Sequence, residues 1–342
     1  MRIAIATVRT PFIEGGSEAH AAGLRAALRR AGHAADIVTM PFRFQPEHAV
    51  RHGVEQWLNE DFTCLGVPTP DRVICLRFPA YYLKHPEKTL WLLHQHRSVY
   101  DEWESHAPHT PEAEELRALI HRLDTEHLAA IPRRFANSHT VAARLRQFNG
   151  VAATPLYHPP PLAGKLYTAD PLPYVFAPSR LERHKRQILL IEAMRYVTAP
   201  VFALISGSGG QRAVYESEIA ALGLEHRVRL IGELDEDGLL AFYAHCFAVF
   251  FGPRGEDLGY ITLEAMLARK PVITCHDSGG PLEFVRHRDT GMIADPEPRA
   301  IAHAIDELYG MPRHGAGLGS NGYQRYESMD ISWDTVAALL SQ

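Results

Sequence analysis

Short apolar runs alternate with helix-forming segments along the first half of the chain. The run at 2–8 is typical of a strand buried on both faces, and the segment after it places Ala19, Leu24 and Leu28 on one side of a helix. We expect Ser17 to cap this helix and Gly32 to end it. Further strands are predicted over 35–39, 72–76, 89–93 and 134–137, with helices over 112–129 and 140–148.

The same alternation is clearer in the second half. Strands are predicted over 174–177, 201–205, 228–231, 248–251, 271–275 and 292–294. Helices are predicted between them, over 184–196, 213–222, 235–245, 260–269 and 282–287. Strands that are separated by helices need right-handed crossovers, which give a parallel sheet covered on both faces.

A proline-rich stretch separates the two halves. The segment 157–173 holds five prolines and no consistent hydrophobic period, as expected of a stiff connector. With 342 residues, the chain has about twice the usual domain size. We therefore predict an α/β protein of two Rossmann-like domains, 1–164 and 165–324, that face each other across a ligand-binding cleft.

Composition narrows the class of function. Lys and Arg number 35 against 40 Asp and Glu, so the net charge of −5 gives no basic field for binding nucleic acid. The 20 histidines follow no metal-ligand spacing, and we assign no metal. No apolar run is long enough for a signal peptide or a membrane span, so a cytoplasmic location is expected. Four separated cysteines are expected to be buried thiols: Cys64, Cys75, Cys246 and Cys275.

The segment from Gly252 to Thr274 is the most informative for chemistry. A buried strand ends at Phe251, and a loop with Glu256 leads into a helix that carries Glu264. Free N–H groups at the start of this helix suit a diphosphate, and the two carboxylates suit sugar hydroxyls on either side of it. The alternative is that Glu264 only stabilises the helix dipole and Glu256 is solvated. The expected donors are the backbone groups of Leu258, Gly259, Tyr260, Ile261 and Thr262.

A second cluster of charges follows the first strand of the second half. Arg180 and Lys185 lie five residues apart at a strand-to-helix junction, where a guanidinium and an ammonium can converge on one anion. The alternative is a solvated basic turn, since Arg183 and Arg186 lie nearby. Their position at the carboxyl end of a strand favours the anion site.

Glycines and a histidine add weaker indications. Gly15 and Gly16 follow the first strand, and Gly279 and Gly280 follow the strand ending at residue 275, where backbone without side chains allows close approach to a ligand. A glycine pair in such a loop is more often only a turn. His94 directly follows a strand of the first half and is either a ligand contact or structural. The glycines at 207–210 do not complete a dinucleotide fingerprint, which disfavours a nicotinamide or flavin oxidoreductase.

Taken together, these motifs resemble family 4 of the glycosyltransferases, which have the GT-B architecture. Glu256 and Glu264 match the family's pair of glutamates with seven residues between them. The other matches run in order along the chain: Gly15–Gly16, 136–142 with 157–161, Arg180 with Lys185, 277–283, and a closing segment at 331–337 that resembles the helix returning to the first domain from about 325.

The resemblance implies a hexosyltransferase that moves a sugar from a nucleotide diphosphate donor to an acceptor hydroxyl, with retention of configuration and without a metal or other cofactor. It implies that Arg180 and Lys185 stabilise the leaving diphosphate, as electrostatic catalysis requires when no metal is bound. Glu264 would bind the ribose and Glu256 the donor sugar. His94 would contact the donor sugar, a role that His96 could share.

The resemblance leaves the substrates open. The form of 278–283 favours GDP-mannose over a UDP-sugar, and the acceptor is expected to be a glycan or a lipid-linked glycan of a bacterial type of surface polysaccharide. Tyr260, Ile261 and Thr262 depart from the family's usual residues at the helix start. The rivals are a sugar-nucleotide epimerase and a noncatalytic partner subunit of the same architecture. Basic residues offer a surface for peripheral membrane contact, through Arg25, Arg29 and Arg30 or through Lys84 and Lys88 near Tyr81 and Tyr82. The alternative, which is the more common one for such residues, is that they form ordinary solvated faces.

Overall fold

The structure is a computed structural model that describes residues 1–12, 15–66, 68–106 and 108–342. The chain divides into two compact units. Unit 1 comprises Met1–Pro161 with Ser332–Gln342, and unit 2 comprises Leu162–Ile331. The division falls three residues before the boundary placed at 164, and the return to unit 1 begins at Ser332 rather than at about 325.

Unit 1 contains a six-stranded parallel sheet. Its strands follow the order β2-β1-β3-β4-β5-β6, so the strand order reverses between β1 and β3 while all strands stay parallel. The short last strand was not predicted. The strands are β1 (Arg2–Arg9), β2 (Ala34–Pro41), β3 (Arg72–Cys75), β4 (Lys88–Leu92), β5 (Arg133–Ala136) and β6 (Thr154–Pro155).

The helices of unit 1 cover both faces of this sheet. They are α1 (Gly16–Arg30), α2 (Glu47–Asn59), α3 (Pro111–Ala130), α4 (His139–Asn149) and α11 (Trp333–Ser341). Helix α2 was not predicted. The prediction of Ser17 as N-cap was wrong, since α1 is capped at Gly15, whose N–H donates to the Glu18 carboxylate at 3.0 Å. The carboxylate therefore satisfies an orphan donor at the helix start.

Helix α11 packs on α1 within unit 1. A Cβ on Gly23 of α1 would lie 2.2 Å from the ring of Trp333, so a glycine is required for this close approach. Beside it, His20 and His158 form a buried pair, with 2.9 Å between Nδ1 and Nε2. The distant segment 333–341 is thus part of the core of unit 1.

Cysteines lie in the interior with one exception. Cys75, Cys246 and Cys275 are buried, as expected, and burial raises the pKa of Cys75 to about 12. Cys64 is exposed on a short turn, Phe62–Cys64, so its predicted burial was wrong.

Unit 2 contains the second six-stranded parallel sheet. Its order is β12-β11-β10-β7-β8-β9, the order of doubly wound dinucleotide folds, with the reversal between β7 and β10. The strands are β7 (Tyr174–Pro178), β8 (Phe202–Ser206), β9 (Val228–Gly232), β10 (Ala248–Phe250), β11 (Val272–Cys275) and β12 (Gly291–Ala294). The helices are α5 (Gln187–Ala193), α6 (Arg212–Ala221), α7 (Glu236–His245), α8 (Tyr260–Leu267), α9 (Pro298–Gly310) and α10 (Pro312–Ser328).

Several helices of unit 2 differ from the prediction. The helix expected over 184–196 begins only at Gln187, because Arg186 adopts a left-handed conformation with φ of 53° after a short turn. The one expected over 282–287 is a single 3-10 turn, Gly280–Glu283. Helices α9 and α10 were not predicted. None of the described helices is long and apolar enough to cross a membrane.

Candidate ligand-binding site

Three loops leave the carboxyl edge of the sheet of unit 2 beside the point where strand order reverses. Strand β7 ends at Pro178, β10 at Phe250 and β11 at Cys275, and these strands are neighbours in the sheet. Ligands of open α/β sheets bind beyond such a reversal. The predicted site residues from Arg180 to Glu264 follow β7 and β10.

Lys185 and Glu256 form an ion pair at this edge. Their loops are far apart in the sequence, yet Lys185 Nζ lies 2.5 Å from Glu256 Oε2. The two side chains are only 12% and 17% exposed, so water screens the pair weakly. The ammonium also lies 5.5 Å from the centre of the Phe251 ring. The structure therefore brings together two of the predicted site residues.

Arg180 has a different environment. It is exposed, and its backbone carbonyl accepts from Gln187 Nε2 at 3.0 Å. The same loop is fixed on the loop after β8, where Leu181 N donates to the carbonyl of Ser208 at 2.8 Å. In the described part of the chain, the Arg180 guanidinium contacts neither Lys185 nor Glu256. Arg180 is thus anchored through its backbone and leaves its charge in solvent.

Arg186 holds the loops of the site together, a role that sequence reasoning missed. Its guanidinium pairs with both carboxylate oxygens of Asp277, at 2.8 and 2.6 Å. It also donates to the carbonyls of Gly252 and Pro253, at 2.9 and 2.8 Å. Burial alone would raise the pKa of Asp277, but the hydrogen bonds from Arg186 bring it below the ordinary 3.8. One side chain thus joins the loops after β7, β10 and β11.

The backbone of Glu256 is fixed by the glycine loop after β11. Glu256 N donates to the carbonyl of Ser278, and Gly280 N donates to the carbonyl of Glu256, both at 2.8 Å. Gly279 has a φ of +74°, and a Cβ there would lie 2.6 Å from the carbonyl oxygen of Glu256. The glycines of this loop therefore serve the close approach of two backbones, which the sequence had suggested for a ligand.

Helix α8 begins beside Glu256. Gly259 precedes it with a φ of +86°, and Thr262 N donates to the carbonyl of Gly259 at 3.0 Å. The Thr262 N–H is therefore satisfied within the helix, and its prediction as a free donor was wrong. The Thr262 hydroxyl is buried and, among the described residues, has no hydrogen-bond partner.

Glu264 lies in the second turn of α8 and is 8% exposed. Its Oε2 accepts a hydrogen bond of 2.7 Å from the hydroxyl of Tyr243, on α7. Burial raises the pKa of Glu264 to about 7, and the Tyr243 hydrogen bond acts against this rise. Tyr243 was not among the predicted residues, because a tyrosine in the apolar run 239–243 resembles an ordinary core residue.

The predicted residues of the first half belong to unit 1. Gly15 and Gly16 begin α1 after β1. Arg77, after the neighbouring strand β3, donates to the Ser17 hydroxyl at 2.8 Å, a contact that was not anticipated. The glycines thus lie where the strand order of this sheet reverses, at its carboxyl edge.

His94 and His96 differ in their surroundings. His94 is half-buried after β4, with Nδ1 2.7 Å from the carbonyl oxygen of Gln95. His96 is 5% exposed, stacks on Phe78 with 5.1 Å between ring centres, and contacts the Ser98 hydroxyl through Nε2. Burial lowers the pKa of His96 to about 4, so it is neutral at pH 7. Of the two, His94 is the one accessible to solvent.

The expected basic surface for membrane contact is only partly present. Tyr81 and Tyr82 are buried, and Lys88 donates to the backbone carbonyls of Tyr81 and Leu83 at 3.2 and 2.9 Å. The expectation of a surface around these residues was therefore wrong. Arg29 is exposed but pairs with Asp36 at 3.0 Å. Within the described ranges, no group of three or more His, Cys, Asp or Glu side chains is arranged to hold a metal ion.

Two six-stranded parallel sheets with flanking helices define the GT-B fold class, which confirms the predicted architecture. The chain superposes on the sucrose-phosphate synthase from Thermosynechococcus elongatus with a TM-score of 0.78 and 20% identity, over 100% of this chain and 97% of that one. The Anabaena protein HepE, solved in complex with UDP-glucose, gives a TM-score of 0.72 and 20% identity over 100% and 98% of the two chains. These similarities concern the fold.

Sequence comparison adds the type of domain. Residues 165–325, most of unit 2, match the family model described as "Glycosyl transferases group 1". The chain is 30% identical over 223 residues to the GDP-mannose-dependent alpha-(1-6)-phosphatidylinositol monomannoside mannosyltransferase of Mycobacterium tuberculosis, covering 61% of this chain and 57% of that protein. It is 34% identical over 103 residues to the alpha-1,3/1,6-mannosyltransferase ALG2 of Dictyostelium discoideum, covering 30% and 24%. The chain thus spans less than two thirds of the length of these relatives.

Proposed function

We propose that the protein is a retaining glycosyltransferase that uses a nucleotide diphosphate sugar. The observation that carries the proposal is the Lys185–Glu256 pair at the strand-order reversal of a domain that matches glycosyl transferases group 1. The loop of Glu256 leads into helix α8, which carries Glu264. A cation, two carboxylates and a helix N-terminus are the groups that a diphosphate flanked by two sugars needs.

In the proposed reaction, the acceptor oxygen bonds to the anomeric carbon of the donor sugar on the face that the diphosphate leaves. The bond between this carbon and the diphosphate oxygen breaks, and the acceptor proton passes to the departing phosphate. Lys185, Arg180 and the backbone at the start of α8, from Leu258 to Ile261, stabilise the charge that develops on the diphosphate, without a metal or cofactor. No protein nucleophile takes part.

Carboxylates hold the sugars in this proposal. Glu264 accepts hydrogen bonds from hydroxyl groups of the ribose, and Glu256 accepts them from hydroxyl groups of the donor sugar. From unit 1, His94 contacts the donor sugar, and Gly16 lets the backbone approach the phosphates. These two roles rest on the family resemblance alone.

We propose GDP-mannose as the donor, because several relatives are named mannosyltransferases and one is named GDP-mannose-dependent. A UDP-sugar is the second candidate, since HepE was solved with UDP-glucose. The acceptor is a glycan or lipid-linked glycan of surface polysaccharide synthesis. The protein acts in the cytoplasm, and it acts at the inner face of the membrane if its acceptor is lipid-linked.

A thermal-shift titration with UDP, GDP, ADP and TDP, each with and without EDTA, tests the proposal. We expect one diphosphate to stabilise the protein regardless of EDTA, and Lys185→Ala to abolish that effect. Lys165→Ala is the matched control, because Lys165 pairs with Glu236 on the surface of the same unit. No stabilisation by any diphosphate would overturn the donor site.

Turnover distinguishes the proposal from its rivals. With the diphosphate sugar identified, mass spectrometry should detect slow hydrolysis alone and faster release of the diphosphate with an acceptor panel. Conversion of the donor to an isomer would instead indicate an epimerase, and binding without any turnover a noncatalytic partner.

A further inference from the structure

The hydrogen bond between Tyr243 and Glu264 joins two helices at the candidate site. Tyr243 is fully buried on α7, and Glu264 is 8% exposed on α8. The tyrosine hydroxyl donates to Oε2 over 2.7 Å, a length typical of a charge-assisted bond. A buried carboxylate thus receives one strong, fixed donor from a neighbouring helix.

Packing fixes the position of the Tyr243 hydroxyl. The ring meets Phe176 of β7 edge to face, with 5.3 Å between centres and an angle of 90°. The backbone carbonyl of Tyr243 accepts from Cys246 Sγ at 3.3 Å, at the end of α7. With its ring and its backbone both held by buried residues, the hydroxyl has little freedom to move away from Glu264.

Glu264 keeps one oxygen for another partner. The carboxylate has two oxygens, and the Tyr243 bond uses Oε2. In the ranges that the structure describes, no group donates to Oε1. The neighbouring Thr262 hydroxyl, two residues earlier on α8, is likewise buried without a partner in those ranges. The Thr262 hydroxyl is fully buried, so Glu264 Oε1 is the acceptor that is left for a ligand.

We propose that Tyr243 is a positioning residue for Glu264: by holding Oε2, its hydroxyl orients the carboxylate so that Oε1 accepts a ribose hydroxyl of the donor. This inference rests on the proposed function, in which Glu264 binds the ribose. Tyr243 acts through Glu264 and makes no contact with the ligand itself.

Few titratable or charged groups act on Glu264. Tyr243 faces it from α7, and Tyr260 lies near it on α8 itself. Charged side chains on the surrounding elements are engaged elsewhere. Arg325 of α10 donates to the carbonyls of Glu283 and Phe284, Arg269 lies over the Tyr323 ring, and Lys270 donates to the carbonyl of Ala169.

The hydrogen bond has a consequence for pH dependence. Burial raises the pKa of Glu264 to about 7, while the Tyr243 bond favours the ionised form and lowers it. Removing the hydroxyl should therefore raise the pKa of Glu264 further. Because the ionised carboxylate is the better acceptor, ligand affinity should rise as pH increases through this pKa, and at higher pH in the variant.

The test compares the wild type with Tyr243→Phe by calorimetric titration with GDP between pH 6 and pH 9, or with whichever diphosphate the panel selects. Tyr174→Phe is the matched control, because the hydroxyl of Tyr174 donates to the carbonyl of Phe242 on the same helix. We expect Tyr243→Phe to weaken binding about tenfold at pH 7. Part of this loss, due to the higher pKa of Glu264, should disappear by pH 9, and the loss that remains at pH 9 reports the missing orientation of the carboxylate. Tyr174→Phe should follow the wild-type profile.

A second ligand tests the ribose contact. With the 2′,3′-dideoxy form of the same diphosphate, wild type and Tyr243→Phe should bind equally, since no ribose hydroxyl remains. If Tyr243→Phe fails to fold, 3-fluorotyrosine at position 243 replaces it. Because its hydroxyl is a stronger donor, it should lower the pKa of Glu264, so that affinity rises at a lower pH than in the wild type.

The outcomes are separable. A wild type that binds GDP with a pH profile unchanged by Tyr243→Phe or by 3-fluorotyrosine would overturn the inference and leave the proposed function standing. An equal loss with the normal and the dideoxy ligand would also overturn it. A wild type that binds no nucleoside diphosphate would overturn the proposed function and this inference with it.

Discussion

Lys185 and Glu256 neutralise each other across two loops, with 2.5 Å between Nζ and Oε2. The ammonium proposed to meet the diphosphate and the carboxylate proposed to meet the sugar are therefore positioned by one another. A cation held by a fixed carboxylate loses less conformational entropy when it binds an anion. The pair should accordingly contribute both to stability and to binding.

The contribution of this pair to stability can be measured separately. Lys185→Ala leaves the largely buried Glu256 carboxylate without its partner and should lower the free energy of unfolding by about 1 to 3 kcal/mol. The double variant Lys185→Ala with Glu256→Gln should recover most of the loss, because no unpaired charge remains. Urea titrations of the wild type, the two single variants and the double variant give the coupling free energy between the two side chains. Equal losses in the single and double variants would contradict the pair's role.

Arg186 should tolerate no substitution by lysine. An ammonium cannot form the forked pair with Asp277 and also reach the carbonyls of Gly252 and Pro253. We expect Arg186→Lys to destabilise the protein by about 2 to 4 kcal/mol in urea unfolding. Arg183→Lys is the control, since Arg183 is exposed on the same turn and should change stability by less than about 0.5 kcal/mol. Equal effects of the two substitutions would contradict the structural role of Arg186.

Gly279→Ala tests the close contact between the two loops. The added Cβ would lie 2.6 Å from the Glu256 carbonyl oxygen, so the loop must move. Gly223→Ala is the matched control, because Gly223 has a similar φ of +65° but no atom within 4 Å of the added Cβ. We expect backbone strain in the control to lower the free energy of unfolding by about 1 kcal/mol. Gly279→Ala should lower it by at least about 3 kcal/mol and abolish diphosphate binding. Similar melting temperatures for both variants would argue against the contact.

Asp124 should make the stability of unit 1 depend on pH. It is fully buried, and burial raises its pKa from 3.8 to about 6, against the hydrogen bonds from Tyr82, Tyr100 and Tyr81. A folded-state pKa above the unfolded value stabilises the fold fully below about pH 4, and this contribution is lost as pH rises through 6. The loss corresponds to about 3 kcal/mol between pH 4 and pH 8.

Asp124→Asn should remove this dependence. We would measure the free energy of unfolding of both proteins in urea from pH 4 to pH 8. Over this range the variant should gain about 3 kcal/mol relative to the wild type. A difference that is constant over this range would contradict the raised pKa.

The sequence predicted most strands because buried parallel strands form short apolar runs between turns. It failed where contacts between elements override local preference. Helix α10 contains Gly315, Gly317, Gly319 and Gly322, which lower helix propensity. Yet a Cβ on Gly319 would lie 2.1 Å from the carbonyl oxygen of Arg269, so close packing requires a glycine there. Propensity alone could not reveal this helix.

The candidate site shows the same limit. Lys185 and Glu256 both follow neighbouring strands, so their convergence at one sheet edge could be expected from the alternation of strands and helices. The roles of Arg186 and Tyr243 depend on which side chains meet across loops and helices. No spacing along the chain encodes the contact of Tyr243 with Glu264, and Arg186 resembles any basic residue in a turn.

The position of α11 has a consequence for synthesis of the chain. Unit 2 is one continuous stretch, 162–331, whereas unit 1 lacks Trp333 until the segment 332–342 has left the ribosome. Until then, the face of α1 around Gly23 and the ring of Trp91, 6.2 Å from that of Trp333, lacks its cover. The unit that is synthesised first is therefore completed last, and its nascent form presents an apolar surface to chaperones for as long as unit 2 takes to be made.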